Sequence, residues 1–183
     1  MHQFDYEHVA ELREKLIPYR KVEEFVNPHG TDVILDIGAG DGFYSVNFAE
    51  KLNGGKVISL EIDKRGTDLL KRRMNEHSVS NVEVVQQDAC DEFHFDGYNK
   101  AFFSNTFHDI PCRDDLVERF AAVNEENLEI ILIEFKKGTL DLGPPEHIRI
   151  SEEELMNKFT SRGFRFVERM EFSHHYIHKY VKD

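Results

Sequence analysis

Carboxylates and glycines are concentrated where one apolar run of the chain ends. Residues 33–37 lead into the segment Asp36-Ile37-Gly38-Ala39-Gly40-Asp41-Gly42, in which three glycines stand at alternate positions. This arrangement lets the backbone turn sharply and approach a ligand without a Cβ atom in the way. Glu61 lies in a second apolar run and Asp88 follows a third. Because ligands of open α/β sheets bind beyond the carboxyl ends of the strands, these residues indicate a nucleotide-like ligand.

Charge and one missing glycine narrow the choice of ligand. The dinucleotide fingerprint G-x-G-x-x-G, counted from Gly38, needs a third glycine where this chain has Phe43. Asp36 would repel a pyrophosphate, whereas S-adenosylmethionine (SAM) offers a cationic amino group and no phosphate. Glu61 has the spacing of a carboxylate that binds ribose hydroxyls, and Asp88 could accept a hydrogen bond from the adenine amine. The residues therefore predict SAM, with S-adenosylhomocysteine as product, and disfavour a nicotinamide oxidoreductase.

Two simpler interpretations of the same residues stay open. Asp36 could cap backbone amides of a glycine turn without touching a ligand, and Asp88 could be a surface acid in a loop. A SAM-binding module without catalysis also fits this pattern.

The elements that must position these residues follow from the hydrophobic pattern. Short apolar runs at 33–37, 57–62, 82–86, 100–104 and 128–135 alternate with helical patterns at 43–52, 64–77 and 111–123. This alternation predicts βαβ units and a parallel sheet. Residues 5–26 have helical spacing interrupted at Pro18, which predicts one or two helices.

The last third of the chain has a different order of elements. Ser151 opens a helix that ends near Gly163, and strands at 164–172 and 174–181 follow it. The turn between these strands is too short for a crossover helix, so they must be antiparallel neighbours. We expect an α/β, Rossmann-like, doubly wound and mostly parallel seven-stranded sheet with an antiparallel C-terminal strand, helices on both faces and an N-terminal helical cap. One domain spans 1–183, with the cap at 1–30 and the core at 31–183.

Composition limits the partners and the compartment. The 183 residues carry a formal net charge of -12, which disfavours long nucleic acid. A basic cluster at Lys64, Arg65, Lys71, Arg72 and Arg73 fits a solvated helix face, although it leaves RNA or protein methylation as an alternative. No apolar run approaches the roughly 18 to 20 residues of a membrane span, and the N-terminus carries acids. We expect a soluble, cytoplasmic monomer or homodimer.

Cysteines and histidines give weaker signals. Cys90 and Cys112 are too far apart for a CxxC metal hook and match no disulfide framework, so a reducing compartment suits them. His174 and His178 would share one face of a strand with His175 on the other, which is typical of an edge or exposed strand rather than a zinc site. The sequence predicts no metal.

The motifs together resemble those of a known superfamily. VILDIGAGDG, VISLEID and VVQQDACDEFHFDGYNKAFFSNTFHDI look like motif I, the acidic loop and motifs II to IV of class I SAM-dependent methyltransferases. Within that superfamily the chain is similar to small methyltransferases related to the C-methyltransferases of ubiquinone and menaquinone biosynthesis. The later segment IEFKKGTLDLGPPEHIRIS resembles their fifth strand and Gly-Pro-Pro loop.

The resemblance implies roles for individual residues. The methionine moiety of SAM would lie at Asp36 and the loop Gly38-Ala39-Gly40-Asp41, with Asp41 standing where Thr or Ser is usual. Glu61 would bind the ribose, and Asn105 would lie on the far side of SAM. Asp88 would bind the adenine, flanked by Ile62 and Ala89. An Asp/Asn-Pro-Pro-Tyr/Phe box is missing, which disfavours methylation of adenine or amide nitrogen.

Candidate residues for the acceptor follow the later strands. A sulfonium methyl is already activated, so a general base is optional; His108 is our first candidate because histidine titrates near neutral pH. Lys136, His147 and Arg149 could contact a polar acceptor, and Tyr6 would form the opposite wall. We expect a small-molecule acceptor of unknown identity.

Overall fold

The structure is a computed structural model that describes residues 6–93, 95, 97–138 and 142–182. Residues 1–5 of the expected cap lie outside this range. The helices are α1 (Tyr6–Leu16), α2 (Tyr19–Val26), α3 (Phe43–Ala49), α4 (Lys64–Glu76), α5 (Arg113–Ala122) and α6 (Glu152–Thr160). The strands are β1 (Val33–Ile37), β2 (Lys56–Glu61), β3 (Val82–Gln86), β4 (Lys100–Ser104), β5 (Glu129–Phe135), β6 (Phe164–Glu171) and β7 (His175–Lys182).

The seven strands form one sheet in the order β3-β2-β1-β4-β5-β7-β6. The first five strands in this order are parallel, and β7 runs antiparallel to both β5 and β6. β2 and β3 lie on one side of β1, and β4 and β5 lie on the other side. The expected fold class is thereby confirmed, and the carboxyl ends of β1 and β4 mark the point where the strand order reverses.

Two apolar clusters cover the two faces of this sheet. On one face, Phe120 of α5 and Phe159 of α6 pack in a cluster with Phe103 of β4. On the other face, Val22 of α2 and Phe48 of α3 belong to a cluster that also contains buried residues of α4 and of the central strands. Near-continuous burial of strands such as β5 is typical of parallel sheets covered by helices on both faces.

Helix boundaries differ from the sequence-based expectation by a few residues for local reasons. Pro18 separates α1 from α2, because proline has no N–H to continue the helix. α3 ends at Ala49, where Lys51 and Leu52 instead donate to carbonyls three residues back. α5 begins at Arg113, since the first i to i−4 bond is accepted by Cys112 and Pro111 stays outside the helix. None of the helices in the described part of the chain has the length and apolar character needed to cross a membrane.

The prediction of an exposed histidine face was wrong. β7 lies between β5 and β6 rather than at an edge, so His175 and His178 are both buried. The Nδ1 of His178 lies 2.7 Å from the Tyr180 hydroxyl, and its Nε2 lies 3.0 Å from Glu152 Oε2. The position of β7 depends on the order of all the strands in the sheet. The local sequence pattern of the last two strands could therefore not predict it.

Candidate active site

A large cleft opens at the carboxyl ends of the parallel strands. Its volume of about 740 Å³ lies within the roughly 300 to 1,000 Å³ of small-molecule sites. All the residues assigned to the cofactor, together with the base candidate and the first-helix tyrosine, line this cleft: Tyr6, Asp36, Gly38, Ala39, Gly40, Asp41, Glu61, Ile62, Asp88, Ala89, Asn105 and His108. The fold therefore brings together side chains from five separate segments of the chain.

The glycine turn after β1 needs its glycines. Gly38 has a φ of 70°, and a Cβ atom there would lie 2.4 Å from a methyl group of Thr106. The backbone N–H groups of Gly38 and Ala39 donate to the Leu60 carbonyl over 2.8 and 3.1 Å. These contacts fix the turn against the end of β2 and against the loop that follows β4.

Asp36 is a buried carboxyl group at the wall of the cleft. It is 2% exposed, and the Ser45 hydroxyl donates to its Oδ2 over 2.5 Å. Ser45 in turn accepts from the Ser59 hydroxyl over 2.8 Å. Burial raises the pKa of Asp36 to about 7, although the Ser45 hydrogen bond opposes that rise. A nearby cation would restore the ionised form, so this position favours a positively charged ligand group.

Glu61 joins the end of β2 to the glycine turn. Its Oε2 accepts from the Gly40 backbone N–H over 2.7 Å, and its Oε1 accepts from the Asp63 backbone N–H over 2.8 Å. Burial raises the pKa of Glu61, and these backbone hydrogen bonds oppose the rise. The carboxylate is thus held in place beside the turn before any ligand arrives.

Gly66 lets the side chains of Tyr6 and Glu61 pack closely against α4. The sequence analysis did not single this glycine out. A Cβ atom on Gly66 would lie 2.7 Å from the Tyr6 hydroxyl and 2.9 Å from Glu61 Cγ. The Tyr6 hydroxyl also donates to Asp63 Oδ2 over 3.2 Å. A glycine inside a helical pattern was the available signal, since glycine is unfavourable in helices and is usually there for packing or function.

The far end of the cleft, beyond β2 and β3, is lined by one exposed apolar residue and a small loop. Ile62 is 62% exposed and lines the cleft, so its side chain is accessible to a ligand. On the loop after β3, Asp88 Oδ1 accepts from the Cys90 backbone N–H over 2.8 Å. Ala89 lines the cleft beside it.

The prediction that Cys90 and Cys112 do not form a disulfide was wrong. The structure joins them across a sequence separation of 22, with their Cα atoms 5.6 Å apart. Both cysteines pack against the same apolar cluster, where the loop after β3 meets the start of α5. Spacing along the chain could not reveal this contact, because it depends on where α5 packs.

Asp41 is neutralised by two arginines. Arg13 Nη2 lies 2.9 Å from Asp41 Oδ1, and Arg73 Nη2 lies 2.7 Å from Asp41 Oδ2. Arg13 also stacks over the Phe43 ring at 4.3 Å and lines the cleft. α1 and α4 are thereby tied to the glycine turn. The sequence analysis did not identify Arg13, because a single arginine in an amphipathic helix forms no recognisable motif.

His108 is paired with a carboxylate that the sequence analysis also missed. Its Nδ1 lies 2.5 Å from Oε2 of Glu134, a residue of β5 that is completely buried. The backbone N–H of His108 donates to the other oxygen of Glu134 over 3.2 Å. Burial alone would lower the pKa of His108, but the hydrogen bond and charge of Glu134 raise it overall. A histidine oriented by a buried carboxylate has the arrangement of a general base. The sequence feature that could have identified Glu134 is a charged residue within the apolar run of β5.

Asn105 and His175 are polar residues of the cleft with buried atoms that lack hydrogen-bond partners within the described part of the chain. Asn105 adopts a left-handed conformation with φ 55°, and its buried Oδ1 has no partner there. Both ring nitrogens of His175, which also lines the cleft, are likewise without partners.

Three residues proposed to contact the acceptor lie outside the walls of the cleft. The Lys136 ammonium contacts Glu171 and donates to the Phe172 carbonyl over 2.5 Å. Arg149 is buried and donates to the carbonyls of Pro144 and Lys136, each over 2.8 Å, so it organises the loop after β5. His147 is exposed in the turn Glu146–Ile148. Within the described residues, no group of three or more His, Cys, Asp and Glu side chains is arranged to bind a metal ion.

Comparisons with solved structures agree with this fold. A SAM-dependent methyltransferase from Aquifex aeolicus superposes with a TM-score of 0.85 and 21% identity, over 99% of this chain and 100% of that one. The [4+2]-cyclase SpnF superposes with a TM-score of 0.74 and 14% identity, over 89% of this chain and 79% of that one. At these identities the likeness shows the fold alone.

A curated relative shares only part of the sequence. A probable ribosomal RNA small subunit methyltransferase A from Pyrococcus furiosus is 39% identical over 59 residues. The match spans 32% of this chain and 20% of that relative, so well under two thirds of the relative is represented.

A family model covers most of the chain. The model of the methyltransferase domain matches residues 28–179, from just before β1 into β7. This range includes the glycine turn, the carboxylates of Asp36, Glu61 and Asp88, and the His108–Glu134 pair. The chain therefore belongs to the methyltransferase domain family.

Proposed function

We propose that the protein binds SAM in the cleft and transfers its methyl group to a small-molecule acceptor. The observation that carries this proposal is the convergence of Asp36, Glu61 and Asp88 around one glycine turn in a single cleft. Family membership and the fold shared with SAM-dependent methyltransferases support the choice of cofactor.

The residues present fit SAM at its charged end. Asp36 is a buried carboxyl group that a cationic amino group would ionise, and Arg13 offers a guanidinium for the cofactor's carboxylate. Gly38 and Gly40 line the cleft, so a ligand can approach the backbone of the turn closely there. The buried Oδ1 of Asn105, which has no partner among the described residues, would gain a donor.

The nucleoside would occupy the other end of the cleft. Glu61 would accept hydrogen bonds from the ribose hydroxyls, and Asp88 would accept one from the adenine amine. Ile62 and Ala89 would cover the two faces of the adenine ring, and the exposed side chain of Ile62 is accessible for that contact.

The part of the cleft near His108 suits a small acceptor. Its lining there is largely apolar, with Ile110, Phe135, Leu142 and Pro144. Bound SAM supplies a methyl group already activated on a sulfonium, so the protein needs only to position the acceptor and exclude water. His108 would take the proton that the acceptor loses, and Glu134 would orient the imidazole and stabilise its charged form.

RNA is a second candidate acceptor, favoured by the names of curated relatives. Several of them are ribosomal RNA methyltransferases, which weighs against our expectation that nucleic acid is disfavoured. In the structure, however, much of the basic cluster on α4 is neutralised. Arg73 pairs with Asp41, Lys64 with Asp68 and Arg72 with Glu76. We therefore place a small molecule first.

Methyl-labelled SAM offered with two acceptor pools tests the proposal. We expect label to enter a small-molecule metabolite fraction and not purified ribosomal or transfer RNA. His108→Ala should lower the transfer rate by about 10²- to 10⁴-fold while S-adenosylhomocysteine affinity stays unchanged. His77→Ala, an exposed position at the end of α4, is the matched control.

The other outcomes distinguish the alternatives. Label found only in RNA would make the second candidate correct. Cofactor binding without any labelled product from either pool would mean a SAM-binding module without catalysis.

A further inference from the structure

His175 is a buried imidazole for which the described residues provide no hydrogen bond. It is 1% exposed, and neither Nδ1 nor Nε2 has a partner among the residues that the structure describes. A buried polar group in this state destabilises a fold, and the great majority of such groups in proteins are satisfied. The ring lines the cleft, so a ligand there is the available source of a partner.

The position of His175 in the sheet puts it at the acceptor end. It opens β7 and pairs in register with Phe135, the last residue of β5. Four strand spacings of about 4.8 Å separate β7 from β2, so His175 lies roughly 19 Å across the sheet from the strand that carries Glu61. An adenosine bound at the Glu61 end would therefore not reach His175. A different ligand would have to contact His175.

The surroundings of His175 belong to the same part of the cleft as the proposed base. The Phe135 ring lies 4.1 Å from the His175 ring and 6.2 Å from the His108 ring, centroid to centroid. Leu142, Gly143 and Pro144 line the cleft beside them. A Cβ atom on Gly143 would lie 2.4 Å from the Phe135 ring, so the glycine lets this loop pack closely over the aromatic side chain.

The charge state of His175 restricts what it can bind. Burial, followed by the positive neighbours His174, Arg149, Lys136 and His108, lowers the pKa of His175 to about 3. The ring is therefore neutral near physiological pH and offers one N–H donor and one acceptor nitrogen. The same basic neighbours disfavour a cationic ligand group.

We infer that His175 hydrogen-bonds the methyl acceptor through a neutral hydroxyl or carbonyl oxygen carried on an apolar body, and so helps to select the acceptor. The inference rests on the proposed function, because it takes the adenosine end of the cleft as occupied by SAM. It adds a substrate class: compact, uncharged or weakly acidic molecules that bear oxygen, and not amines that are cationic at neutral pH.

Phenol and toluene are suitable probes because they have nearly the same shape and differ by one hydroxyl group. Their affinities for the protein saturated with S-adenosylhomocysteine can be measured by NMR titration. We expect phenol to bind wild type about 10-fold more tightly than toluene, the value of one net hydrogen bond. His175→Phe should reduce this preference to about 1, and His175→Gln, which keeps a donor and an acceptor, should retain part of it.

Controls separate this role from a structural one and from His108. His77→Phe should keep the full preference for phenol, and His108→Phe shows how much of that preference comes from the base candidate. Because none of the described residues pairs with the His175 ring, His175→Phe should unfold at the same temperature as wild type or higher in the absence of ligand. His175→Leu serves if the phenylalanine variant does not fold.

Three results would overturn the inference: a preference for phenol unchanged in His175→Phe, no preference in wild type, or no binding of either probe. Failure of the proposed function is measured separately: either S-adenosylhomocysteine would not bind to wild type, or label from SAM would enter no small-molecule product.

Discussion

At the residue scale, the protonation of Asp36 links the fold to cofactor binding. Burial raises its pKa to about 7, above the roughly 3.9 of an unfolded chain. Asp36 therefore contributes stability that is fully present below the unfolded pKa and is lost as the pH rises through about 7. A cation bound beside Asp36 would instead favour the ionised carboxylate over the protonated form.

We predict that SAM binding releases close to one proton at pH 6, where free Asp36 is protonated, and little at pH 8.5. Calorimetry in two buffers with different ionisation enthalpies measures the number of protons released. Asp36→Asn should bind more weakly and release none from this site. Identical binding enthalpies in both buffers at pH 6, for wild type, would contradict the role of Asp36.

Individual residues show what sequence could and could not reveal about the site. Asp36 and Glu61 were found because fixed spacing from a strand and a glycine turn defines their position. Arg13 and Glu134 were missed, because tertiary packing alone brings Arg13 to the cleft and Glu134 to His108. Glu134 becomes informative only when β5 is placed beside β4 and the loop that carries His108.

At the element scale, one disulfide and one arginine fasten the loop after β3 to α5. Cys90 is bonded to Cys112, and Arg119 donates to the carbonyls of Ala89 and Asp91 over 2.6 and 2.8 Å. Arg119 also stacks over the Phe93 ring at 4.8 Å. This loop carries two of the residues proposed to bind adenine.

We predict that reducing the disulfide lowers the free energy of unfolding by about 3 kcal/mol, because the unfolded chain regains the freedom of the closed loop. For a chain of this size, the Tm should fall by roughly 6 to 12 °C. Differential scanning calorimetry with and without dithiothreitol measures the change. Cys90→Ser/Cys112→Ser is the control and should not respond to reductant; equal Tm values for wild type in both conditions would contradict the prediction.

The order of elements was predictable, but the arrangement of the last strands was only partly so. Alternating apolar and helical segments indicated the parallel sheet, and the short turn before His175 required antiparallel neighbours. No local sequence pattern indicated that β7 lies between β5 and β6. The burial of His175 and His178 was therefore unexpected.

At the scale of the whole molecule, the fold leaves the reaction undetermined. Neighbours with this architecture include a methyltransferase and a [4+2]-cyclase, so function depends on the cleft and not on the sheet. A single domain and a monomeric or homodimeric state stay predictions. The excess of acidic over basic residues, 35 to 23, acts over the whole surface and favours a small acceptor over a polyanion.

Calorimetric titration of S-adenosylhomocysteine into wild type, Glu61→Ala and Glu83→Ala tests the central claim most directly. Glu83 is a matched control, because it lies on the neighbouring strand β3 and pairs with Lys56 at the surface. We predict micromolar-range affinity for wild type and Glu83→Ala, and affinity about 10- to 100-fold weaker for Glu61→Ala, the value of charged hydrogen bonds to ribose. No binding to wild type, or equal binding to all three proteins, would contradict the account.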